Sequence, residues 1–244
     1  MILEVIPVGP LQCNCVILGD EGTGEALVID PGDEPDRVVE ALKRLSLRPR
    51  LLLHTHAHID HVAGTAGVQE ALGVEAALHP GDGFLYDILD IQAQMVGMAA
   101  PRKVDSTSHL KDGQAVAWGA CEGEVLHTPG HTPGSVCLYV PETDLEIGSA
   151  GGEAGAVMGA EAGEEPGAKG EPRRPLLLSG DTLFSGSIGR TDLWGGSFEE
   201  IMASIRDRLL VLPDTTLIVP GHGPASTIAL EKVRNPFLRD LRSG

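Results

Sequence analysis

The chain has 244 residues, of which 18 are Lys or Arg and 35 are Asp or Glu, so its formal net charge is −17. This acidic surface disfavours nucleic acid and anionic membranes as partners, because like charges repel. No apolar run approaches the roughly 20 residues needed to span a bilayer. Because no basic segment followed by a long apolar run opens the sequence, we expect no secretory signal and a cytoplasmic protein.

Four cysteines are scattered along the chain and lack the C-x-x-C spacing of a zinc ribbon or redox pair: Cys13, Cys15, Cys121 and Cys137. Cys13 and Cys15 share one face of a strand but lie too close along the chain for an easy disulfide. We expect the cysteines to be reduced, buried and structural.

The first hundred residues predict strands that alternate with helices. Apolar runs predict strands over 1–8, 13–18, 26–29, 51–53 and 74–78. Apolar periodicity predicts helices over 33–45, 60–72 and 82–98. The last helix has an apolar stripe that either lines a substrate cleft or packs in the core: Phe84, Leu85, Ile88, Ile91 and Met95.

The segment 51–61 has the most unusual composition, because a leucine strand runs into four histidines and an aspartate. Such a cluster is typical of a metal site. Residues two apart in an extended segment point the same way, so His56 and His58 can bind one ion. If a helix begins at Asp60, then Asp60 and His61 face elsewhere and can bind a second ion.

Other polar residues also stand near strand ends. Asp30 follows the strand at 26–29, where it either orients a ligand or caps the turn. We expect His54, His79 and His127 to be structural hydrogen-bonding residues.

The second half of the chain predicts strands over 114–118, 124–127, 136–140, 176–178 and 216–219. Three polar residues stand in loops beside these strands: His131 between two Pro-Gly turns, Asp181 in Ser-Gly-Asp, and His222 in Pro-Gly-His-Gly. Asp181 has two oxygens and is therefore suited to bridging two cations. A capping box at Ser197 predicts a helix to about 210, and a short helix follows from about 226.

Residues 142–174 interrupt this pattern with a Gly-, Ala- and Glu-rich segment that has little to pack. We expect a flexible insert there. The preceding strand leads away from His131 and the following strand leads back to Asp181. A hairpin would therefore place the insert at the end of the sheet opposite the metals, and its deletion should leave metal content and turnover intact.

The candidate ligands form two sets that share one residue. One ion would bind His56, His58 and His131, the other would bind Asp60, His61 and His222, and Asp181 would bridge both. The first set leaves a tetrahedral ion one position for water. Arg190, in the loop 186–192, either contacts an anionic substrate or pairs with Asp192.

These motifs, in this order, resemble the metallo-β-lactamase superfamily over nearly all the chain except the insert. Within it the sequence looks most like the short bacterial type II glyoxalases, through the loop 186–192 and Asn235-Pro236-Phe237-Leu238. The resemblance implies a single α+β domain over 1–244. Its fold would be an αββα sandwich, two mixed sheets face to face with helices outside. It also implies two divalent ions, with zinc favoured over iron or manganese.

The implied reaction is hydrolysis of a small-molecule thioester such as S-lactoylglutathione by a metal-bridging hydroxide. Asp60 would coordinate and orient the nucleophile, and Arg190 falls where the family has a cationic glutathione contact. Long glyoxalase II enzymes also use a C-terminal helical domain to bind glutathione, whereas little chain follows His222 here. The alternatives are a persulfide dioxygenase with a single iron and another hydrolase of this fold such as a lactonase. The protein would act as a monomer or homodimer.

Overall fold

The computed structural model describes residues 1–104, 107–143, 146–147 and 174–239. Most of the predicted insert over 142–174 lies outside the described residues. Near the two ends of this segment, residue 143 and Arg174 belong to neighbouring antiparallel strands and pair with each other. This pairing agrees with the expected hairpin between the strands that lead from His131 and to Asp181.

The first sheet has seven strands in the order β10-β1-β2-β3-β4-β5-β6. The strands β1 to β3 pair antiparallel, and β3 to β6 pair parallel. The bounds are β1 (Ile2–Val8), β2 (Cys13–Gly19), β3 (Glu25–Ile29), β4 (Arg48–Leu53), β5 (Ala76–Leu78), β6 (Thr107–His109) and β10 (Glu146–Ile147).

The second sheet has six strands in the order β15-β14-β11-β9-β8-β7. Its bounds are β7 (Ala115–Trp118), β8 (Cys121–His127), β9 (Val136–Thr143), β11 (Arg174–Gly180), β14 (Leu217–Pro220) and β15 (Ser226–Thr227). A separate small hairpin consists of β12 (Leu183–Phe184) and β13 (Ser187–Ile188).

Seven α-helices lie in the described part of the chain. They are α1 (Pro35–Arg44), α2 (Ile59–Val62), α3 (Thr65–Leu72), α4 (Gly83–Asp87), α5 (Leu89–Val96), α6 (Phe198–Ser204) and α7 (Ile228–Arg234). A π-helical turn at Ile205–Leu209 continues α6. No helix among the described residues is long and apolar enough to cross a membrane.

The buried side chains show why the two sheets stack between helices. Leu176 and Leu178 of β11 join the core between the sheets, whereas Leu177 packs with Ile201 of α6 on the outer face. Leu42 of α1 packs in the corresponding core outside the first sheet. Successive residues of a strand point to opposite faces, so a strand covered on both sides is apolar throughout. The predicted α+β sandwich of two mixed sheets with outer helices is therefore confirmed.

Two predicted helices are in fact broken. The helix expected over 60–72 is interrupted at Gly64, where a Cβ atom would lie 2.6 Å from the carbonyl oxygen of Pro31. The helix expected over 82–98 breaks at Ile88, which has non-helical dihedral angles. Its apolar stripe packs only in part as a core face, because Leu85 is buried whereas Ile91 and Met95 remain 47% and 62% exposed.

The topology brings the candidate site together. β3 is parallel to β4 in one sheet and β11 is parallel to β14 in the other. The carboxyl ends of parallel strands meet at one edge of a sheet. Asp30, the segment 54–61, Asp181 and His222 follow these four strand ends, so the fold gathers them at one edge of the sandwich.

Candidate metal centre

Three histidines from two segments form a compact group, here called the three-histidine half: His56, His58 and His131. Nε2 of His56 lies 3.1 Å from Nδ1 of His58. Nε2 of His131 lies 3.2 Å from Nε2 of His56 and 2.9 Å from Nδ1 of His58. All three side chains are buried. The two histidines of the segment after β4 therefore meet the predicted partner from the β8–β9 loop.

A second group, here called the mixed half, contains Asp60, His61 and His222. Nε2 of His222 lies 3.1 Å from Oδ2 of Asp60 and 3.3 Å from Nε2 of His61. Nε2 of His61 also lies 3.8 Å from the same carboxylate oxygen. The helix α2 begins at Ile59 and carries Asp60 and His61 to His222, although the ring centroid of His61 also lies 4.0 Å from that of His56.

Asp181 lies between the two halves. Its Oδ1 is 3.5 Å from Nε2 of His61, and its Oδ2 is 3.6 Å from Nε2 of His131 and 3.8 Å from that of His222. Gly221 permits this approach, because a Cβ atom there would lie 2.3 Å from Oδ1 of Asp181. One carboxylate thus faces both groups, which is the arrangement expected of a bridging ligand.

The outward-facing nitrogens of several histidines are held by acceptors. Nδ1 of His131 lies 2.8 Å from the carbonyl oxygen of Arg190, and Nδ1 of His222 lies 3.1 Å from that of Leu11. A carbonyl oxygen only accepts, so each Nδ1 carries the proton and each Nε2 keeps a lone pair towards the centre. Supporting contacts of this kind fix both the tautomer and the ring orientation of a metal ligand.

Asp30 gives His61 the same support, so it orients a candidate ligand. Its Oδ2 lies 2.9 Å from Nδ1 of His61 and accepts a hydrogen bond from the Thr55 hydroxyl at 2.6 Å. Its Oδ1 accepts from the Thr55 amide at 2.7 Å. Because the Thr55 hydroxyl donates to Asp30, it accepts from Nδ1 of His56 at 3.1 Å. One buried carboxylate therefore supports a histidine in each half.

Asn14 holds the loop that carries His222, a contact that the sequence analysis did not identify. The amide nitrogen of its side chain donates to the carbonyl oxygens of Pro220 and Gly223, and its backbone amide donates to that of Gly221. The only signal in the sequence is a polar residue between Cys13 and Cys15. That signal does not reveal a partner about two hundred residues away.

Electrostatics differs between the two halves. Burial and the neighbouring histidines lower the pKa of His56 well below its usual range, and burial and His131 lower the pKa of His58 to about 3. In the mixed half, burial acts against the charged forms but is outweighed. Asp60 and Asp181 raise the pKa of His222, and His61 and His222 hold the pKa of Asp60 below its usual range. The first half offers neutral donors and the second offers negative charge.

The donor atoms fit a pair of metal ions. Two histidine nitrogens bound to one tetrahedral zinc at about 2.0–2.1 Å are about 3.3 Å apart, close to the 2.9–3.2 Å spacings of the three-histidine half. The lone pairs on Nε2 of His56 and of His131, which lie 3.2 Å apart, repel each other unless a proton or a cation lies between them. Oδ1 of Asp181 is buried and has no hydrogen-bond partner among the residues that the structure describes, which leaves it available to a second ion.

The residues that we expected to be structural lie behind or beside this centre. His54 is buried, with Nε2 3.2 Å from the Thr65 hydroxyl. Nε2 of His127 lies 2.9 Å from the carbonyl oxygen of Pro133, and its ring stacks on that of His79. These contacts agree with the expected roles as hydrogen-bonding residues.

All four cysteines are free, as expected, and three are buried, whereas Cys121 is partly exposed. Sγ of Cys13 lies 3.5 Å from Nδ1 of His61, the nitrogen that faces away from His222. Burial raises the pKa of Cys13 to about 12. This residue therefore packs behind the ligand as a neutral thiol.

The side chain of Arg190 pairs with that of Asp192. Its Nε and an η-nitrogen donate to the two carboxylate oxygens of Asp192 at 2.7 and 2.8 Å. Both side chains are exposed. Of the two alternatives for this residue, the ion pair is therefore present in the structure.

The fold and the site define the class of protein. The sequence pattern of the metallo-beta-lactamase superfamily matches residues 8–145. The chain belongs to this superfamily and is a metallohydrolase of that fold, with a cluster of His and Asp residues suited to binding metal.

Particular relatives are similar over almost their whole length. The chain is 33% identical over 240 residues to the hydroxyacylglutathione hydrolase GloC of Haemophilus influenzae, covering 98% of both chains. The crystal structure of the B3 metallo-beta-lactamase BLEG-1 matches with a TM-score of 0.78 and 32% identity, over 97% of this chain and 99% of that one. The structure of TTHA1623 in a di-iron-bound form matches with a TM-score of 0.76 and 36% identity, over 96% and 100%.

Proposed function

We propose that this protein is a dinuclear metallohydrolase that hydrolyses small-molecule thioesters of the S-lactoylglutathione type. The observation that carries the proposal is the position of Asp181, whose two oxygens face the three-histidine half and the mixed half. A site for a single ion would not require a second complete set of donors around a shared carboxylate. The similarity to a hydroxyacylglutathione hydrolase supports the choice of thioester.

The proposed ligands of one ion are the three-histidine half, those of the other are the mixed half, and Asp181 is common to both. Two such ions supply hydroxide near neutral pH and polarise a carbonyl group. We favour zinc, and the di-iron form of TTHA1623 supports iron as the competing metal.

Asp60 is the proposed catalytic residue. Its side chain is 16% exposed, whereas that of His61 is fully buried, so its carboxylate borders the open side of the centre. Because nearby histidines hold its pKa below the usual range, Asp60 is ionised at neutral pH and accepts a hydrogen bond from the attacking nucleophile.

Arg190 is the proposed contact for an anionic substrate. Exposed ion pairs contribute little to stability, so a carboxylate of the substrate can displace Asp192 at little cost. The backbone carbonyl of Arg190 already orients His131. A substrate bound by the guanidinium group would therefore lie beside the centre.

The test is a hydrolysis assay with S-lactoylglutathione on protein of measured metal content. We expect thiol release that a chelator abolishes and that zinc or iron restores. Oxygen uptake with glutathione persulfide, on protein with one iron per chain, would instead indicate a persulfide dioxygenase. Hydrolysis of lactones without thioester turnover would indicate a lactonase. The single domain, the cytoplasmic location and the monomeric or dimeric state stay predictions.

A further inference from the structure

Asp82 is a buried carboxylate outside the proposed ligand sets. It ends the 3₁₀ turn Pro80–Asp82, between β5 and α4, and its side chain is fully inaccessible to solvent. Burying a carboxylate without compensating hydrogen bonds is costly. The partners of Asp82 therefore indicate what this residue does.

The carboxylate of Asp82 joins the two segments that supply the three-histidine half. Its Oδ2 accepts from the backbone amide of Ala57 at 3.0 Å and from the Thr132 hydroxyl at 2.8 Å. Its Oδ1 accepts from the backbone amide of Gly134 at 2.6 Å. Ala57 stands between His56 and His58, and Thr132 follows His131. A single side chain thus forms hydrogen bonds to residues that directly adjoin all three histidines in the sequence.

A second buried side chain holds the first of these segments from α5. The Oε1 atom of Gln92 accepts from the backbone amide of Ile59 at 3.0 Å. The amide nitrogen of the same side chain donates to the carbonyl oxygens of Ala57 and Leu85 at 3.1 and 2.9 Å. Both polar groups of the Ala57 backbone are therefore bonded to side chains from the 80–92 region.

The junction around Asp82 depends on close backbone approach. A Cβ atom on Gly81 would lie 2.9 Å from Cα of Gly134 and 2.9 Å from the carbonyl oxygen of Pro133. A Cβ atom on Gly134 would lie 2.6 Å from Cγ of Asp82. The turn before Asp82 and the loop after His131 are thus packed backbone against backbone, which fixes their separation.

We propose that Asp82 is a positioning residue that sets the spacing of the three-histidine half for metal binding. Neutral imidazoles whose lone pairs converge do not attract one another, so their spacing must be imposed from outside the group. Asp82 imposes it by bonding the two ligand segments to one rigid carboxylate. The inference rests on the proposed metal ligands and is independent of which substrate the enzyme hydrolyses.

The test compares Asp82→Asn with the matched control Asp20→Asn. Asp20 also accepts from two backbone amides, those of Gly22 and Ala120, and from one threonine hydroxyl, that of Thr23. Cys13, beside His61, begins β2, and Asp20 follows the other end of this strand. Asp20 therefore lies away from the metal centre. Asp20→Asn therefore removes a comparable loop cross-link without touching a ligand segment.

The measurement is titration of metal-free protein with Co²⁺, followed by the visible absorption of the bound ion. We expect wild type to bind two ions. Asp82→Asn should lower the affinity for one of them by about 10- to 100-fold and shift the absorption band that His58→Ala abolishes. Asp20→Asn should reduce thermal stability but leave both affinities and the spectrum unchanged.

Unchanged affinities and spectrum in Asp82→Asn would overturn the inference but leave the ligand assignment intact. Fewer than two ions bound by wild type would overturn the proposed ligand sets, and the inference with them. If Asp82→Asn does not fold, Thr132→Val removes one hydroxyl contact of Asp82 and should shift the same band to a smaller extent. An unchanged spectrum in that variant would likewise overturn the inference.

Discussion

The two halves of the centre use different physical means to hold a cation. In the three-histidine half, burial lowers the pKa values of His56 and His58, so these two imidazoles are neutral and bind a cation through coordination alone. The mixed half includes the ionised Asp60, and Asp30 stands directly behind His61. Negative charge therefore assists binding there. The neutral half needs geometry imposed by its surroundings, whereas the mixed half has a charge that attracts a metal ion.

Asp181→Ala should have the largest effect, because Asp181 is the residue that both halves share. We expect turnover to fall by more than about 100-fold, because replacing a residue that only supports a metal ligand already costs up to about 100-fold. Steady-state hydrolysis of S-lactoylglutathione, with metal content measured on the same sample, checks this. Asp192→Ala is an exposed aspartate control that should retain its metal. Full activity of Asp181→Ala would show that the halves do not act together.

His58→Ala and His222→Ala each remove one ligand from a different half. We expect each variant to keep one ion, because the donors of the other half remain in place. Elemental analysis after dialysis gives the stoichiometry, and Co²⁺ spectra show whether the two variants retain different ions. Identical residual spectra would contradict the division into two halves.

Asp30→Asn should weaken the mixed half. The amide lacks the charge that faces Nδ1 of His61, and we expect roughly 10- to 100-fold lower affinity for one ion. Competition with a chelator measures it. The affected ion should be the one that His222→Ala loses, whereas Asp82→Asn should affect the ion that His58→Ala loses. Asp20→Asn, which removes a carboxylate cross-link away from the centre, serves as the control for loss of packing alone.

Arg190→Ala should have the smallest effect. It removes a side chain that pairs with Asp192 and is not a candidate ligand, so we expect an unchanged metal content. We also expect an increase in KM for S-lactoylglutathione of roughly tenfold, as for the loss of one charged hydrogen bond, with little change in kcat. Asp192→Asn, which frees the guanidinium group, should lower KM. An unchanged KM in both variants would exclude Arg190 from substrate binding.

The sequence predicted the sandwich, and the structure brings the candidate ligands together, because both follow from local patterns; that these residues bind metal stays a prediction. Alternating apolar strands and helices define the layers, and polar residues just after strands fall at one edge. The segment 54–61 identified two groups of donors because strand and helix geometry turn His58 and Asp60 in different directions.

The residues that support the ligands were harder to predict, because their partners are distant in sequence. Asp82 is only the first residue of the helix predicted over 82–98, and its bonds to Ala57 and Gly134 depend on how two loops meet. The apolar stripe near Ile91 and Met95 has helical spacing, yet the chain breaks at Ile88 and leaves both exposed. Apolar periodicity predicts a helix but does not predict which face of that helix the rest of the protein buries.

Stepwise reconstitution of metal-free wild type tests the dinuclear account most directly. Known equivalents of zinc or iron would be added, and S-lactoylglutathione hydrolysis and bound metal would be measured at each step. We expect two ions per chain, with activity that rises mainly as the second ion binds. Full activity at one ion per chain would contradict it.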